Sequence, residues 1–75
     1  MMPAFLIPLL LNLAPSVASW VLGDSTGKAV STVTNIIKQT TGIDGDPDAA
    51  LTANPQLMFD LKVALLKAQG EESER

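Results

Sequence analysis

The segment from residue 54 to residue 70 reads Asn-Pro-Gln-Leu-Met-Phe-Asp-Leu-Lys-Val-Ala-Leu-Leu-Lys-Ala-Gln-Gly, and it carries the clearest helical pattern in the chain. Asn54 followed by Pro55 is typical of a helix start, because Asn caps the first turn and Pro needs no backbone acceptor there. One apolar stripe then recurs at helical spacing: Leu57, Met58, Leu61, Ala64, Leu65 and Ala68. We predict a helix that buries this stripe and ends at Gly70.

A second set of apolar residues in the same segment falls outside that stripe. Phe59, Val63 and Leu66 are spaced four and three residues apart, which places them together on another side of the helix. Exposed apolar side chains are ordinary on protein surfaces, and this is one interpretation of the three residues. Their common register favours the other interpretation, a contact surface for a partner subunit.

The region before this helix also has a helical period. Asp24 or Ser25 suits an N-cap, and Gly42 is a natural stop. Apolar residues recur between them on one helical face: Ala29, Val30, Val33, Ile36 and Ile37. We therefore predict a second amphipathic helix between residues 24 and 42.

The connection between the two helices is acidic. Its aspartates alternate along the chain: Asp44, Asp46 and Asp48. This is how a calcium-binding loop of the helix–loop–helix type begins, but the glycine and glutamate that such a loop needs further on are missing. We interpret the carboxylates as helix caps. A short helical turn over residues 47–53 is predicted to follow, with Leu51 pointing inward.

The chain has no charged residue before Asp24. This neutral start has the length and apolarity of a signal peptide or a membrane span. A signal peptide needs positive residues in front of the apolar stretch, and none is present. Pro8 and Pro15 predict breaks at Ile7 and Ala14, because proline disfavours helix in the residue before it. Two short pieces remain, over residues 8–14 and 15–22, and each is too short to span a bilayer.

We predict that the neutral segment docks on a partner subunit or at a membrane interface. The docking side chains are predicted to be Phe5, Leu6, Ile7, Leu9, Leu10, Leu13, Val17, Trp20 and Val21. For Trp20, a role as an anchor in the core is the simpler interpretation. The residues predicted to pack the helices together are Val30, Val33, Ile37, Leu57, Met58, Leu61 and Leu65.

These patterns divide the chain into an uncharged apolar docking segment (1–23), an amphipathic helical body (24–70) and a charged tail (71–75). The predicted fold is all-α, a small bundle of three to four short helices with Pro/Gly-rich connections. A core of this size rarely supplies more than about 3–5 kcal/mol. The chain has no cysteine to staple it. We therefore expect oligomerisation or a partner to complete the bundle.

The missing residue types restrict the function. Without His or Cys the chain cannot form a Ser–His or Cys–His nucleophile, nor the usual zinc, copper or haem sites. A Gly-x-Ser-x-Gly match at residues 23–27 has no histidine to serve it and is interpreted as helix capping. The net charge of −3 and the wide spacing of the basic residues disfavour nucleic-acid binding. We expect no enzyme, no cofactor, no metal and no nucleic-acid specificity.

Several short runs follow one another in an order that is similar to a known family. They are Leu-Leu-Leu-Asn-Leu-Ala-Pro-Ser at 9–16, Trp-Val-Leu-Gly-Asp-Ser-Thr-Gly-Lys-Ala at 20–29, Thr-Gly at 41–42, Asp-Pro-Asp-Ala-Ala-Leu at 46–51 and Asn-Pro-Gln-Leu at 54–57. Together they resemble the region that precedes the membrane spans in the three-span holin-like family of bacteriophages and gene-transfer agents, over about residues 8–68. The spans themselves have no counterpart here. The resemblance therefore implies a phage association and a small helical module, with no catalytic residues.

The leading functional expectation is a small phage-encoded structural or accessory subunit that packs in a larger virion assembly through apolar helical faces. Its partners would be copies of itself or a larger phage structural protein, and its location the virion or the host cell. The alternative is a membrane-active, holin-like or membrane-docking protein that uses residues 3–22 at the host inner membrane.

Overall fold

The computed structural model of the chain describes residues 4–73, with side chains described for residues 4–71. These residues form five α-helices: α1 (Leu6–Leu13), α2 (Pro15–Gly23), α3 (Lys28–Thr41), α4 (Asp48–Ala53) and α5 (Pro55–Ser73). The described residues include no strand, which confirms the predicted all-α class. There are more helices than the predicted three to four, because the acidic connection contains a complete short helix and both pieces of the neutral segment are helical.

The neutral segment bends once, at Ala14. The extended conformation of Ala14 (φ −154°, ψ 88°) separates α1 from α2, and Pro15 opens α2, so the break predicted there is confirmed. The break predicted at Ile7 is wrong, because α1 begins at Leu6 and runs through Pro8. Pro8 lies in the first turn, where backbone N–H groups have no acceptor within the helix, and its missing N–H therefore costs no hydrogen bond.

The start of α3 is capped by Asp24. One carboxylate oxygen (Oδ2) accepts a hydrogen bond from the Ala29 N–H at 2.6 Å. The other (Oδ1) accepts bonds from the Thr26 N–H at 3.0 Å and the Thr26 hydroxyl at 2.7 Å. The N-cap position itself is held by Gly27 (φ 80°) and the helix begins at Lys28, so the prediction that Asp24 or Ser25 is the N-cap residue is wrong. Asp24 supplies its carboxylate to the first turn from three residues before Gly27. The predicted stop is confirmed at Gly42, whose φ of 73° is the left-handed conformation that ends many helices.

The two C-terminal helices begin beside the predicted polar residues, although α4 starts at Asp48 with Pro47 at its N-cap position, one residue later than predicted. Oδ1 of Asp46 accepts the Asp48 N–H at 3.0 Å at the start of α4, and Leu51 points into the core with 1% of its surface exposed. Oδ1 of Asn54 accepts the Leu57 N–H at 3.3 Å at the start of α5. Both findings confirm that short polar side chains position these helices.

The predicted end of α5 is wrong. The helix passes through Gly70 and continues to Ser73, so part of the predicted charged tail is helical. Gly70 does not adopt a left-handed conformation, which is what makes glycine a stop signal. Glycine within a helix weakens it by only about 1 kcal/mol, which is not enough to end a helix held by packing.

The α5 helix is the centre of the bundle. It packs against α2, α3 and α4, while α1 packs against α2, and α2 also contacts α3. Fourteen apolar residues form the core of the described chain: Leu6, Leu9, Leu10, Leu13, Ala14, Val17, Ala18, Val21, Ala29, Val33, Ile37, Leu51, Leu61 and Leu65. Eight of the fourteen come from α1, Ala14 and α2. The neutral segment is thus the larger part of the chain's own core.

Candidate interaction surface

The two apolar stripes of α5 lie on different sides of the helix. Leu61 and Leu65 are fully buried, with 0% of their surface exposed. Phe59, Val63 and Leu66 are exposed by 60%, 47% and 39% respectively. With 3.6 residues per turn, these three side chains fall within an arc of about 60°, on the side away from the core. We call Phe59, Val63 and Leu66 the α5 stripe.

Charged residues border the α5 stripe on both sides. Asp60 and Lys67 lie on one edge, seven residues apart, and Lys62 lies on the other edge; all three are exposed. The side-chain amide of Gln56 donates a hydrogen bond to Oδ1 of Asp60 at 2.9 Å. An apolar centre with a polar rim is the usual arrangement of a protein–protein contact surface.

The structure places the predicted docking residues mainly inside the chain. Six of the nine belong to the core: Leu6, Leu9, Leu10, Leu13, Val17 and Val21. The other three, Phe5, Ile7 and Trp20, are partly buried against that core. The six core residues were predicted to meet a partner or a membrane, whereas they meet the other helices of the same chain. Their surface is not available to a second molecule in this fold.

Two exposed leucines on the neutral helices were not among the predicted docking residues. Leu11 on α1 is 55% exposed and Leu22 on α2 is 63% exposed. Apolar periodicity does not single them out, because most residues of the neutral segment are apolar. Only the positions of the other helices show which side of α1 and α2 faces outward.

The predicted packing residues differ in burial. Val33, Ile37, Leu61 and Leu65 are buried, while Val30 and Leu57 are half-buried. Met58 departs most from the prediction, with 39% of its surface exposed. It is one residue from the exposed Phe59 and lies at the edge of the buried face. Ala14 and Ala18 are also buried and were not among the predicted packing residues.

The capping carboxylate of Asp24 has a pKa below its ordinary value. The hydrogen bond from the Thr26 hydroxyl lowers the pKa of Asp24 most, and the backbone N–H groups of Ala29 and Thr26 lower it further. Hydrogen bonds to a carboxylate favour its ionised form. These partners are all part of the helix cap, so the shifted pKa belongs to a structural feature and not to a reactive centre.

The acidic loop bends at Asp44 and Gly45. Asp44, Asp46 and Asp48 are exposed, and Asp46 is occupied in capping α4. Within the described part of the chain, no group of three or more acidic, histidine or cysteine side chains is arranged to hold a metal ion. Next to this loop lies an open cleft of about 280 Å³, lined by Phe5, Pro8, Leu9, Asn12, Asp46 and Asp48. The cleft brings carboxylates beside apolar side chains without a basic or nucleophilic group.

A pair of hydrogen bonds joins α2 to the far end of α5. The Ser16 hydroxyl donates to Oε1 of Gln69 at 3.0 Å, and Nε2 of Gln69 donates to the Ser16 carbonyl oxygen at 3.1 Å. The two residues are separated by 53 positions in the sequence. This link holds the C-terminal part of α5 on α2 and so helps to orient the α5 stripe.

None of the helices, over the residues described, has the length and apolarity required to cross a membrane. Comparison with protein-family models gave no match for this chain. The curated proteins and the solved structures likewise gave none.

Proposed function

We propose that this chain is a small helical subunit of a larger assembly and that it joins the assembly through the α5 stripe. The observation that carries the proposal is the exposure of Phe59, Val63 and Leu66 in register, on the side of α5 that the core does not use. Exposed apolar side chains that are contiguous, and not scattered singly, are typical of interaction sites. The charged border formed by Asp60, Lys62 and Lys67 fits such a site.

The proposed assembly is a phage particle, and this part of the proposal comes from the sequence resemblance to a phage family over about residues 8–68. The chain would act as a structural or accessory subunit, packed against copies of itself or against a larger phage protein. A small module with one exposed apolar stripe fits this role, because a neighbouring subunit of the particle would cover the stripe.

Particles purified from a producing host provide the test. Mass spectrometry should find the chain in particles when the host carries the unaltered protein. The double variant Phe59→Ser, Val63→Ser should be lost from the particles, since the stripe would no longer be apolar. Leu22→Ser is the matched control, because it removes an equally exposed apolar side chain from α2 and should leave incorporation unchanged. Particles that lack the unaltered chain would refute the proposal.

A membrane-docking protein is the second candidate function. It is favoured by Leu11 and Leu22, which are exposed by 55% and 63% on two helices that carry no charge. Apolar side chains on an uncharged surface can insert at the boundary between headgroups and acyl chains. In this proposal α1 and α2 lie on the host inner membrane, with Trp20 near the interface.

Flotation with liposomes separates the second candidate from the first. Removing residues 1–22 would also remove much of the core, so point variants are the better probe. Leu11→Glu combined with Leu22→Glu should abolish flotation if the neutral helices bind lipid. Phe59→Glu should not change flotation in that case. An unaltered chain that stays at the bottom of the gradient excludes membrane docking.

A further inference from the structure

We infer that a second copy of this chain occupies the α5 stripe, with the two α5 helices packed antiparallel. The inference rests on the proposed function and names the partner for the same surface. It is carried by two features of α5, the order of large and small residues along the stripe and the order of charges along its border.

The line of the stripe extends beyond its three apolar residues. Gln56 lies one turn before Phe59, and Gly70 lies one turn after Leu66, and both are exposed. The steps between successive members are three, four, three and four residues, which is the spacing that keeps two packed helices in contact. Such a line can be followed by a second helix over about four turns.

Residue size along this line favours the antiparallel direction. In an antiparallel pair centred between Val63 and Leu66, Phe59 lies opposite Gly70 of the second copy, and Val63 lies opposite Leu66. The side of Gly70 where a Cβ atom would point has nothing within 4 Å, so it leaves room for the phenyl ring. A parallel pair would instead place Phe59 against Phe59 and leave a gap between the two glycines. The antiparallel pair therefore fills the space better.

The charges on the border favour the same direction. In an antiparallel pair, the edge that carries Asp60 and Lys67 lies beside the same edge of the second copy. Asp60 therefore meets Lys67 of the second copy, and the twofold symmetry of the pair produces this contact twice. A parallel pair brings opposite edges together and places Lys62 beside Lys67 of the second copy, five positions further along. That arrangement produces two repulsive contacts. Opposite charges at such border positions set the orientation of helix pairs.

Charge reversal with sedimentation analysis tests the inference. Over a concentration series, the unaltered chain should show a reversible equilibrium between monomer and dimer. Lys67→Glu should weaken the dimer, because two attractive contacts become repulsive, and we expect the dissociation constant to rise about tenfold. Asp60→Lys should have a similar effect. The double variant Asp60→Lys, Lys67→Glu should restore the dimer, since the two charges have exchanged places. Circular dichroism should show the same helix content in all variants.

Two results would overturn the inference. A stronger dimer for Lys67→Glu would indicate the parallel direction, in which the new carboxylate meets Lys62. A chain that is monomeric at every concentration would exclude self-pairing altogether. In that case the particle experiment still decides the proposed function independently, because loss of Phe59→Ser, Val63→Ser from particles would point to a different protein on the stripe. A dimer that is absent from particles would sustain the inference and exclude the virion role.

Discussion

Asp24 shows how much one half-buried side chain organises in this fold. It is the first charged residue of the chain, and its two oxygens bind three donors on Thr26 and Ala29. The hydroxyl of Thr26 is in turn within 3.3 Å of the Lys28 N–H. These bonds satisfy N–H groups that the first turn of α3 leaves unpaired. Asp24 therefore fixes both the end of the neutral segment and the beginning of the amphipathic body.

Replacing Asp24 should destabilise the protein, and replacing its neighbour should not. Asp24→Ala removes the acceptor of three hydrogen bonds, so we expect a lower midpoint in thermal unfolding. Ser25→Ala is the matched control, since the Ser25 side chain donates and accepts no hydrogen bond among the described residues. Equal midpoints for the two variants would show that α3 does not depend on this cap. Circular dichroism at the helical minimum is a sufficient measurement.

The same carboxylate predicts a pH dependence. Its pKa in the folded chain is lowered from the ordinary value of 3.8, so the unfolded chain takes up the proton first as the pH falls. The stabilisation by Asp24 is therefore fully present above pH 3.8 and is lost as the pH falls through the lower pKa of the folded state. Urea unfolding over this range should show a steeper loss of stability for the unaltered chain than for Asp24→Asn. Parallel curves would contradict the prediction.

Among the helices, α3 and α5 use glycine in opposite ways. Gly42 ends α3 with a φ of 73°, while Gly70 lies inside α5 without a positive φ. At either position an added Cβ atom would have no other atom within 4 Å, so the two sites differ in backbone conformation and not in available space. Gly70→Ala should stabilise the monomer by about 0.5–1 kcal/mol, because it removes conformational freedom from the unfolded chain. Gly42→Ala should destabilise it by about 1–2 kcal/mol, because alanine is strained in the left-handed region. Urea unfolding at high dilution measures both, and the same sign for the two would contradict the prediction.

The link between α2 and α5 makes an ordered prediction. Gln69→Ala removes both hydrogen bonds, whereas Ser16→Ala removes only the one from the hydroxyl and leaves the carbonyl oxygen in place. A hydrogen bond contributes about 0.5–1.5 kcal/mol net, and these exposed bonds belong at the lower end of that range. We therefore expect Gln69→Ala to cost more than Ser16→Ala in the free energy of unfolding. The reverse order would show that the link is not formed in solution.

The sequence predicts a helix boundary well when neighbouring residues determine it, and poorly when contacts with distant parts of the chain determine it. The starts of α4 and α5 are predictable, because a capping aspartate or asparagine beside a proline acts locally. The extension of α5 past Gly70 is not, because glycine is compatible both with a helix stop and with a helix interior, and only its conformation in the fold, without a positive φ, separates the two. The sequence showed the α5 stripe as three apolar residues in register outside the buried face, and in the structure these three side chains are exposed. The burial of α1 and α2 was not visible, since a segment that is apolar on most sides fits its own core, a partner or a membrane equally well.

Taken as a whole, the molecule buries one side of α5 in its core and leaves the opposite side exposed. Leu61→Asp should unfold the protein, because it places a charge in a site with 0% exposure. Phe59→Asp is the matched control on the same helix, and with 60% exposure it should leave the fold intact. For scale, removing a buried leucine side chain costs about 2–5 kcal/mol, as much as the core of so small a domain supplies. Chemical-shift dispersion in NMR spectra separates the two cases. A dispersed spectrum for Leu61→Asp would show that the core is not as described.

The placement of core residues at both ends of the sequence also has a consequence during synthesis. Leu13 and Leu65 share one core but are separated by 52 positions, so at about 5–20 residues per second the ribosome makes the second about 3–10 s after the first. For that time the neutral helices have been translated without α5, which packs against α2. Nascent chains of this protein should therefore be good clients for chaperones that bind apolar segments, until α5 has emerged from the exit tunnel.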